Sequence, residues 1–272
     1  MTRDPAPEQE TAFREFYERV AREGGDVDDA YYGPQGTSGG WGDRLLDHVI
    51  RRLPRCDGVF ADVGCADGRL LVMTADRMRR RVGVDVSSVR LARARAKLEH
   101  GGGSTLLVQC FVERLPLGSG TIAVATCLET LEHVLDVDAA LAELRRVLQP
   151  GGSLVVSVPS VTLRSYWEMF RHRRPFHCDD VEHLREFTAR PIPWFDHKFV
   201  HAAVFERQIT AAGFVIRARS GVGYLFPRWA DRTAITRRVF GLVYGARVNA
   251  VFGHVPFVRG FPKHTVYQLR AG

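Results

Sequence analysis

At 272 residues with a formal net charge of +7, the chain is long enough for one large α/β domain carrying an inserted cap. Its 45% apolar and 25% charged content is that of an ordinary soluble protein. No run reaches the roughly 18 uncharged apolar residues a membrane span needs, since the longest candidate, Val239 to Val258, is broken by Arg247 and His254. The polar, acidic N-terminus has no signal-peptide core, which sets a cytoplasmic location as the expectation. Cys56, Cys65, Cys110, Cys127 and Cys178 form no CxxC pair and are odd in number, as expected of reduced thiols. The positive charge is carried almost wholly by arginine, with Lys97, Lys198 and Lys263 the only lysines. It fits a solvated basic surface and also an anionic or RNA substrate.

In chain order, residues 1 to 8 are Pro-rich and expected to be disordered. Phe13, Phe16, Tyr17 and Val20 then recur at i, i+3, i+4 and i+7, the spacing of an amphipathic helix. The glycine-rich stretch from Gly24 to Trp41, with Tyr31 and Tyr32, reads as a long loop of the kind that closes over a ligand. Asp43 is a candidate cap for a helix running to about Leu53. From Gly58 the apolar runs Val59–Val63, Val82–Val86, Leu106–Cys110, Ile122–Cys127 and Leu154–Val158 alternate with helical segments Arg69–Met78, Ser88–Glu99 and Asp138–Leu148. That rhythm predicts a parallel, doubly wound sheet with ligands at the carboxyl ends of its strands. After Pro159 the rhythm lapses. Residues 160–196 and 222–262 read as cap or insertion, and a helix from about Phe199 to Ala212 leads to strands at Phe214–Arg219 and Thr265–Leu269.

The first strand runs into Asp62-Val-Gly-Cys-Ala-Asp-Gly68. Small residues at 64, 66 and 68 permit a tight turn and close approach of backbone to a ligand at a helix N-terminus, which suits an adenosine cofactor. The Gly-x-Ala-x-Gly spacing is not that of a dinucleotide loop. Asp62, just before the loop, would repel a pyrophosphate but suits a cationic amino-acid moiety. Asp85, ending the second strand, is placed to accept both hydroxyls of a ribose.

A second cluster follows the fourth strand, where Cys127-Leu-Glu-Thr-Leu-Glu-His-Val134 puts Glu129, Glu132 and His133 within five residues. If helical, these three share one face, within an arc of roughly 100°. They would then make most of a metal site, or equally a solvated turn with a capping acid.

These motifs, together with Val82-Gly-Val-Asp85, Leu115-Pro116 and Leu148-Gln-Pro-Gly-Gly152 before Ser153–Ser157, resemble class I S-adenosylmethionine-dependent methyltransferases over roughly residues 40 to 160. The resemblance implies a Rossmann-like seven-stranded sheet with the last strand antiparallel. A helical N-terminal extension and lid loop (1–40) would precede the methyltransferase domain (41–272), which would carry a C-terminal helical insertion. It further implies contacts to S-adenosylmethionine from Asp62, Gly64, Cys65, Ala66, Gly68, Asp85, Val86, Phe111, Val112 and Cys127. Phe111 stands where many relatives place an acid that contacts the adenine, and Ala66 replaces a glycine.

Within that superfamily, the Glu129-x-x-Glu132-His133 turn is similar to ubiquinone-biosynthesis O-methyltransferases and to small-RNA 3′-terminal ribose 2′-O-methyltransferases. In both groups this turn binds a divalent metal, and the RNA enzymes add a histidine in an Asp-His-Lys-Phe segment like Asp196–Phe199 here. The resemblance therefore implies ligand roles for Glu129, Glu132, His133 and His197. Mixed oxygen and nitrogen donors suit Mg²⁺, Mn²⁺, Fe²⁺ or Co²⁺ better than a closed zinc site. His133 and His201 are the candidate catalytic residues, His201 as a general base or a substitute ligand, while His177 and His183 flank an acidic segment read as a polar loop. The expected activity is methylation of a small-molecule hydroxyl, with RNA 2′-O-methylation and metal-independent N- or C-methylation as alternatives. The sequence leaves the oligomeric state open.

Overall fold

The computed structural model describes residues 7–23, 41–99, 103–160, 202–222 and 264–272. Helix α1 (Pro7–Glu23) precedes α2 (Trp41–Ile50), and an alternating series follows. It runs β1 (Val59–Val63), α3 (Arg69–Met73), β2 (Arg80–Asp85), α4 (Ser88–Leu98), β3 (Ser104–Gln109), β4 (Ile122–Leu128), α5 (Val137–Val147) and β5 (Leu148–Pro159). The chain then supplies α6 (Ala202–Ala211), β6 (Phe214–Val222) and β7 (His264–Ala271).

The seven strands form one sheet in the order β3-β2-β1-β4-β5-β7-β6. All neighbours are parallel except β7, which runs antiparallel to both β5 and β6. The strands are apolar on both faces because both are covered by helices. Residues alternate between the two cores along each strand, as a period of two requires. Phe60 faces Leu45, Leu46 and Val49 of α2 with Leu71 of α3, and Val124, Val155 and Val266 lie on the same side. Ala61, Val63, Leu154 and Val156 face the other way, against Leu141 and Leu144 of α5 and Phe205 and Ile209 of α6. Tyr267 is fully buried there, its ring 5.5 Å from that of Phe205.

Side-chain caps set the helix ends. The Ser87 side chain accepts from Arg90 N at the start of α4, and Asp136 accepts from Ala139 N at the start of α5. The third helix stops five residues short of the expected Met78. There Thr74 Oγ1 bonds back to Leu70 O at 2.7 Å and the chain continues in turns. The fifth strand is longer than the expected Leu154–Val158. Its pairing with β4 jumps from Ile122↔Leu148 to Val124↔Ser153, so the Gln149–Gly152 segment bulges out.

The larger departure concerns Glu129 to His133, which form a turn and not a helix. Glu129 itself takes the left-handed conformation, φ 49°. The shared helical face that would have grouped Glu129, Glu132 and His133 is therefore absent, and their neighbourhood is made by the turn and by β5 and β7.

Candidate active site

The carboxyl end of β1 turns away through glycines that a side chain could not replace. Gly64 has φ 80°, and a Cβ there would meet Thr130 Oγ1 at 2.1 Å. Gly68 has φ 83°, and its Cβ would lie 2.8 Å from that of Ala94. Ala66 tolerates φ 47° at a cost of about 1–2 kcal/mol for an L-residue. The loop is fastened to β2: Gly64 N and Cys65 N both donate to Val84 O, at 2.7 and 2.9 Å.

Asp85 organises the same corner. Its Oδ2 accepts from Ala66 N and its Oδ1 from Ser87 N, each at 2.9 Å. Burial raises its pKa against the opposing pull of Arg90 and of these two amides. Each carboxylate oxygen keeps a second lone pair, so the group can still accept ribose hydroxyls. Asp62, 4% exposed, is held by a 2.7 Å hydrogen bond from Thr126 Oγ1 to its Oδ1. Val86 and Phe111 are half-buried beside these loops, and Val112 is buried. Cys65 and Cys127 are both buried; Cys127 is fully enclosed in the core, and burial pushes its thiol pKa well up.

Helix α1 lies across this end of the sheet. The Glu18 carboxylate accepts from Ser87 Oγ at 3.1 Å, Ser88 N at 2.7 Å and Gln109 Nε2 at 3.3 Å. Burial raises the Glu18 pKa, yet the hydrogen bonds from Ser88, Val89 and Ser87 together bring it below the usual carboxylate value. Phe13 sits 5.8 Å from the ring of Phe111, where the sequence lacks the adenine-contacting acid. Tyr17 meets His133 edge to face at 6.0 Å. The amphipathic spacing foretold a docked helix; nothing in the sequence said that it docks on the loops after β2, β3 and β4.

The loop after β4 carries the second set of groups. Glu132 is 2% exposed, and neither carboxyl oxygen has a hydrogen-bond partner among the described residues. His133 Nε2 lies 3.8 Å from Oε1. Burial first, and then the neighbouring charge of Glu129, drives the Glu132 pKa well above the usual range. The carboxylate of Glu129 is differently placed. Ser157 Oγ donates to Oε1 at 2.7 Å, and His264 Nδ1 lies 2.5 Å from Oε2. The backbone N–H of Glu129 donates to both Ser157 O and Ser157 Oγ at 3.1 Å.

Among the described residues, no three His, Cys, Asp or Glu side chains are gathered as the ligands of one ion would be. His197 and His201 lie outside the described residues, as do the lid loop and, apart from Ser160 and Val222, both cap segments. Ser157 and His264 were not foreseen. A serine inside an apolar strand and a histidine one residue before the expected start of the last strand carry no motif; only the strand pairing Ser157↔Val266 and Pro159↔His264 brings them to Glu129.

A family model described as a methyltransferase domain matches residues 61–156. Over 202 residues the chain is 33% identical to a ubiquinone biosynthesis O-methyltransferase of Xanthomonas oryzae pv. oryzae (strain PXO99A), spanning 71% of this chain and 77% of that one. A second protein of that description, from Xylella fastidiosa (strain 9a5c), is 26% identical over 212 residues, 76% of this chain and 80% of its own. Among solved structures, the putative methyltransferase in a complex with the Haloferax volcanii Trm112 activator shares the fold. Its TM-score is 0.62 at 18% identity, covering 94% of this chain and 97% of that one. With the sheet order and the glycine loop in place, the chain belongs to the class I S-adenosylmethionine-dependent methyltransferases and is an enzyme of that family.

Proposed function

We propose that the protein transfers a methyl group to a hydroxyl of a small molecule, with a divalent cation assisting at the turn after β4. The observation that carries this reading is Glu132: a buried side chain whose two carboxyl oxygens accept no hydrogen bond among the described residues, near Glu129 and with His133 Nε2 3.8 Å from Oε1. Leaving such a group buried without a partner costs about 1–3 kcal/mol, and a cation would remove that cost by taking the ionised form. The donor set of two carboxylates and an imidazole suits a hard or borderline ion such as Mg²⁺ or Mn²⁺. Glu129, Glu132 and His133 would hold it, with His197 as the further donor that completes the set. The O-methyltransferase relatives support a hydroxyl as the acceptor.

The residues divide the work. The glycine loop presents backbone to the methyl donor, Asp85 takes its ribose, and Asp62 lies where its cationic amino-acid end would come. When bound, the sulfonium donor supplies an electrophilic carbon and the cation lowers the pKa of a coordinated hydroxyl. Helix α1, through Phe13, Tyr17 and Glu18, shields this corner from water. The acceptor oxygen forms its bond to carbon as the carbon–sulfur bond breaks, the electron pair goes to sulfur, and the hydroxyl proton must leave. With His133 engaged as a ligand, His201 is the candidate group to receive it; His133, whose side chain is 26% exposed beside Glu132, could take the proton only in the metal-independent reading.

A second reading is metal-independent methylation of a small molecule. It is favoured by the absence, among the described residues, of three gathered donor side chains. The segment behind the RNA reading, Asp196–Phe199, is outside the described residues.

One experiment separates these readings. Purified protein is given tritiated methyl donor and a panel of catechols and simple alcohols, with and without a chelator. The proposal predicts alkali-stable ether label that the chelator abolishes and Mn²⁺ restores. Label insensitive to the chelator would select the metal-independent reading, and label confined to amines or carbon would reject O-methylation.

A further inference from the structure

With the ribose at Asp85 and the cationic end toward Asp62, the donor's base extends past β2 to the side where β3 is the next strand. The loop after β3 presents Phe111 there, half-buried, and Val86 after β2 is half-buried as well. A purine brings an apolar face to this corner and, at its edge, an amino group that donates hydrogen bonds. The carboxylates around the corner are already engaged. Glu18 Oε1 takes Ser88 N at 2.7 Å and Gln109 Nε2 at 3.3 Å, while Oε2 takes Ser87 Oγ at 3.1 Å and Val89 N at 3.4 Å. Two donors on each oxygen fill its lone pairs. Glu113 gives Oε1 to Leu135 N at 2.7 Å and Asp136 N at 3.2 Å, at the start of α5. Glu10 of α1 is paired with Arg114. Gln109 spends its amide nitrogen on Glu18 and on Val86 O, the latter at 2.9 Å. Apolar contact is supplied in depth. Phe13 of α1 backs the Phe111 ring at 5.8 Å with the planes tilted by 47°, and Tyr17 lies 4.7 Å from Phe13.

We propose that the donor's base is bound by apolar contact with Phe111, held from behind by Phe13 of α1, and that no side chain reads its exocyclic amino group. This rests on the reading of the donor site given above, in which Asp85 takes the ribose. An aromatic face holds a purine through stacking and tolerates change at the edge of the base. A site built to accept a hydrogen bond from an amino group rejects an analogue that lacks it, because the acceptor is then left unpaired. Here the carboxylates that could have accepted that bond fasten α1, α4 and α5 instead. Phe111 is therefore a specificity-determining residue, and Phe13 is a positioning residue that acts through it. The helix that carries Phe13 is pinned on both sides of it. Glu10 is paired with Arg114, Glu18 is bonded to the start of α4, and Ala21 O accepts from Arg93 Nη2 at 2.8 Å.

The test is calorimetric titration with S-adenosylhomocysteine and with its analogue in which unsubstituted purine replaces adenine, so that only the amino group is missing. The proposal predicts that wild type binds the two within about threefold of each other. A larger loss with the analogue overturns it, by showing that the amino group is read, and leaves the donor site standing. Phe111→Asp places a carboxylate at the base and should create a preference for the amino-bearing ligand of about tenfold or more, as a hydrogen bond to a charged group gives. No preference in that variant puts the base elsewhere and overturns the proposal. Phe13→Ala should weaken both ligands by the same factor, about threefold to tenfold, through loss of the aromatic contact behind Phe111. Unchanged affinity in Phe13→Ala takes α1 out of the subsite and contradicts its positioning role. Should Phe111→Asp not fold, the wild-type comparison decides alone. A wild type that binds neither ligand removes the donor reading itself, and this proposal with it.

Discussion

The two halves of the active-site edge are built on opposite principles. At the carboxyl ends of β1 and β2, three carboxylates are hydrogen-bonded within the protein: Asp85 takes two loop amides, Asp62 a threonine hydroxyl, and Glu18 reaches over from α1 to cap the start of α4. At the carboxyl end of β4, Glu129 is held in a costly backbone conformation while Glu132 is buried with neither oxygen hydrogen-bonded among the described residues. A satisfied site is preformed for a ligand that arrives in one shape, as the methyl donor does. An unsatisfied one stores free energy that is released only when a partner of opposite charge completes it. On the proposed reading, donor binding belongs to the first half and the chemistry of the acceptor to the second.

The comparison can be broken most severely from the donor side. Gly64→Ala combines a left-handed backbone with a Cβ placed 2.1 Å from Thr130 Oγ1, so the loop cannot keep its path. The expected result is loss of S-adenosylhomocysteine affinity by about 100-fold or more, from strain on the order of 3 kcal/mol. Calorimetric titration reads it directly, and an affinity within about threefold of wild type would show that the loop is not the donor site.

The acceptor side answers to pH. The Glu132 pKa is raised in the folded protein, by burial and by Glu129. Above the ordinary glutamate value the unfolded chain has therefore released a proton that the native state still binds. By linkage, stability in the metal-free protein falls as pH rises through that window and is fully regained below it. Glu132→Gln has no proton to release, so it removes this slope. Metal-free Glu132→Gln should match wild type near pH 4.5 and exceed it by about 2–4 °C in Tm at pH 8, if about 1 kcal/mol is recovered. Parallel Tm profiles in differential scanning calorimetry would mean that Glu132 is ionised and paired in the native state.

Much of the donor half was legible in the sequence because it is local. The glycines at 64 and 68, the acids at 62 and 85 and the apolar strands between them lie within one βαβ unit, where spacing maps onto geometry. The seven-stranded sheet and its antiparallel last strand followed from the resemblance those residues carried. The acceptor half was legible only as a list of residue types. A helical spacing suggested a common face for Glu129, Glu132 and His133, but the chain makes a turn there, with Glu129 at positive φ. What places Glu129 is a serine 28 residues later and a histidine on the last strand, joined through β5–β7 pairing that no local pattern announces. Likewise the periodicity of Phe13, Tyr17 and Val20 indicated a docked helix, whereas its seat on the loops after β2, β3 and β4 follows from tertiary contacts to Ser87, Phe111 and His133.

The contrast between a finished donor site and an acceptor turn completed from outside is tested most directly by Mn²⁺ titration in the presence of S-adenosylhomocysteine, comparing wild type with Glu132→Gln. The account predicts that both proteins bind S-adenosylhomocysteine with the same affinity. Wild type binds one Mn²⁺ per chain, and Glu132→Gln loses that binding by at least about tenfold, roughly 1.4 kcal/mol. Equal Mn²⁺ binding by the two, or none by the wild type, would contradict it.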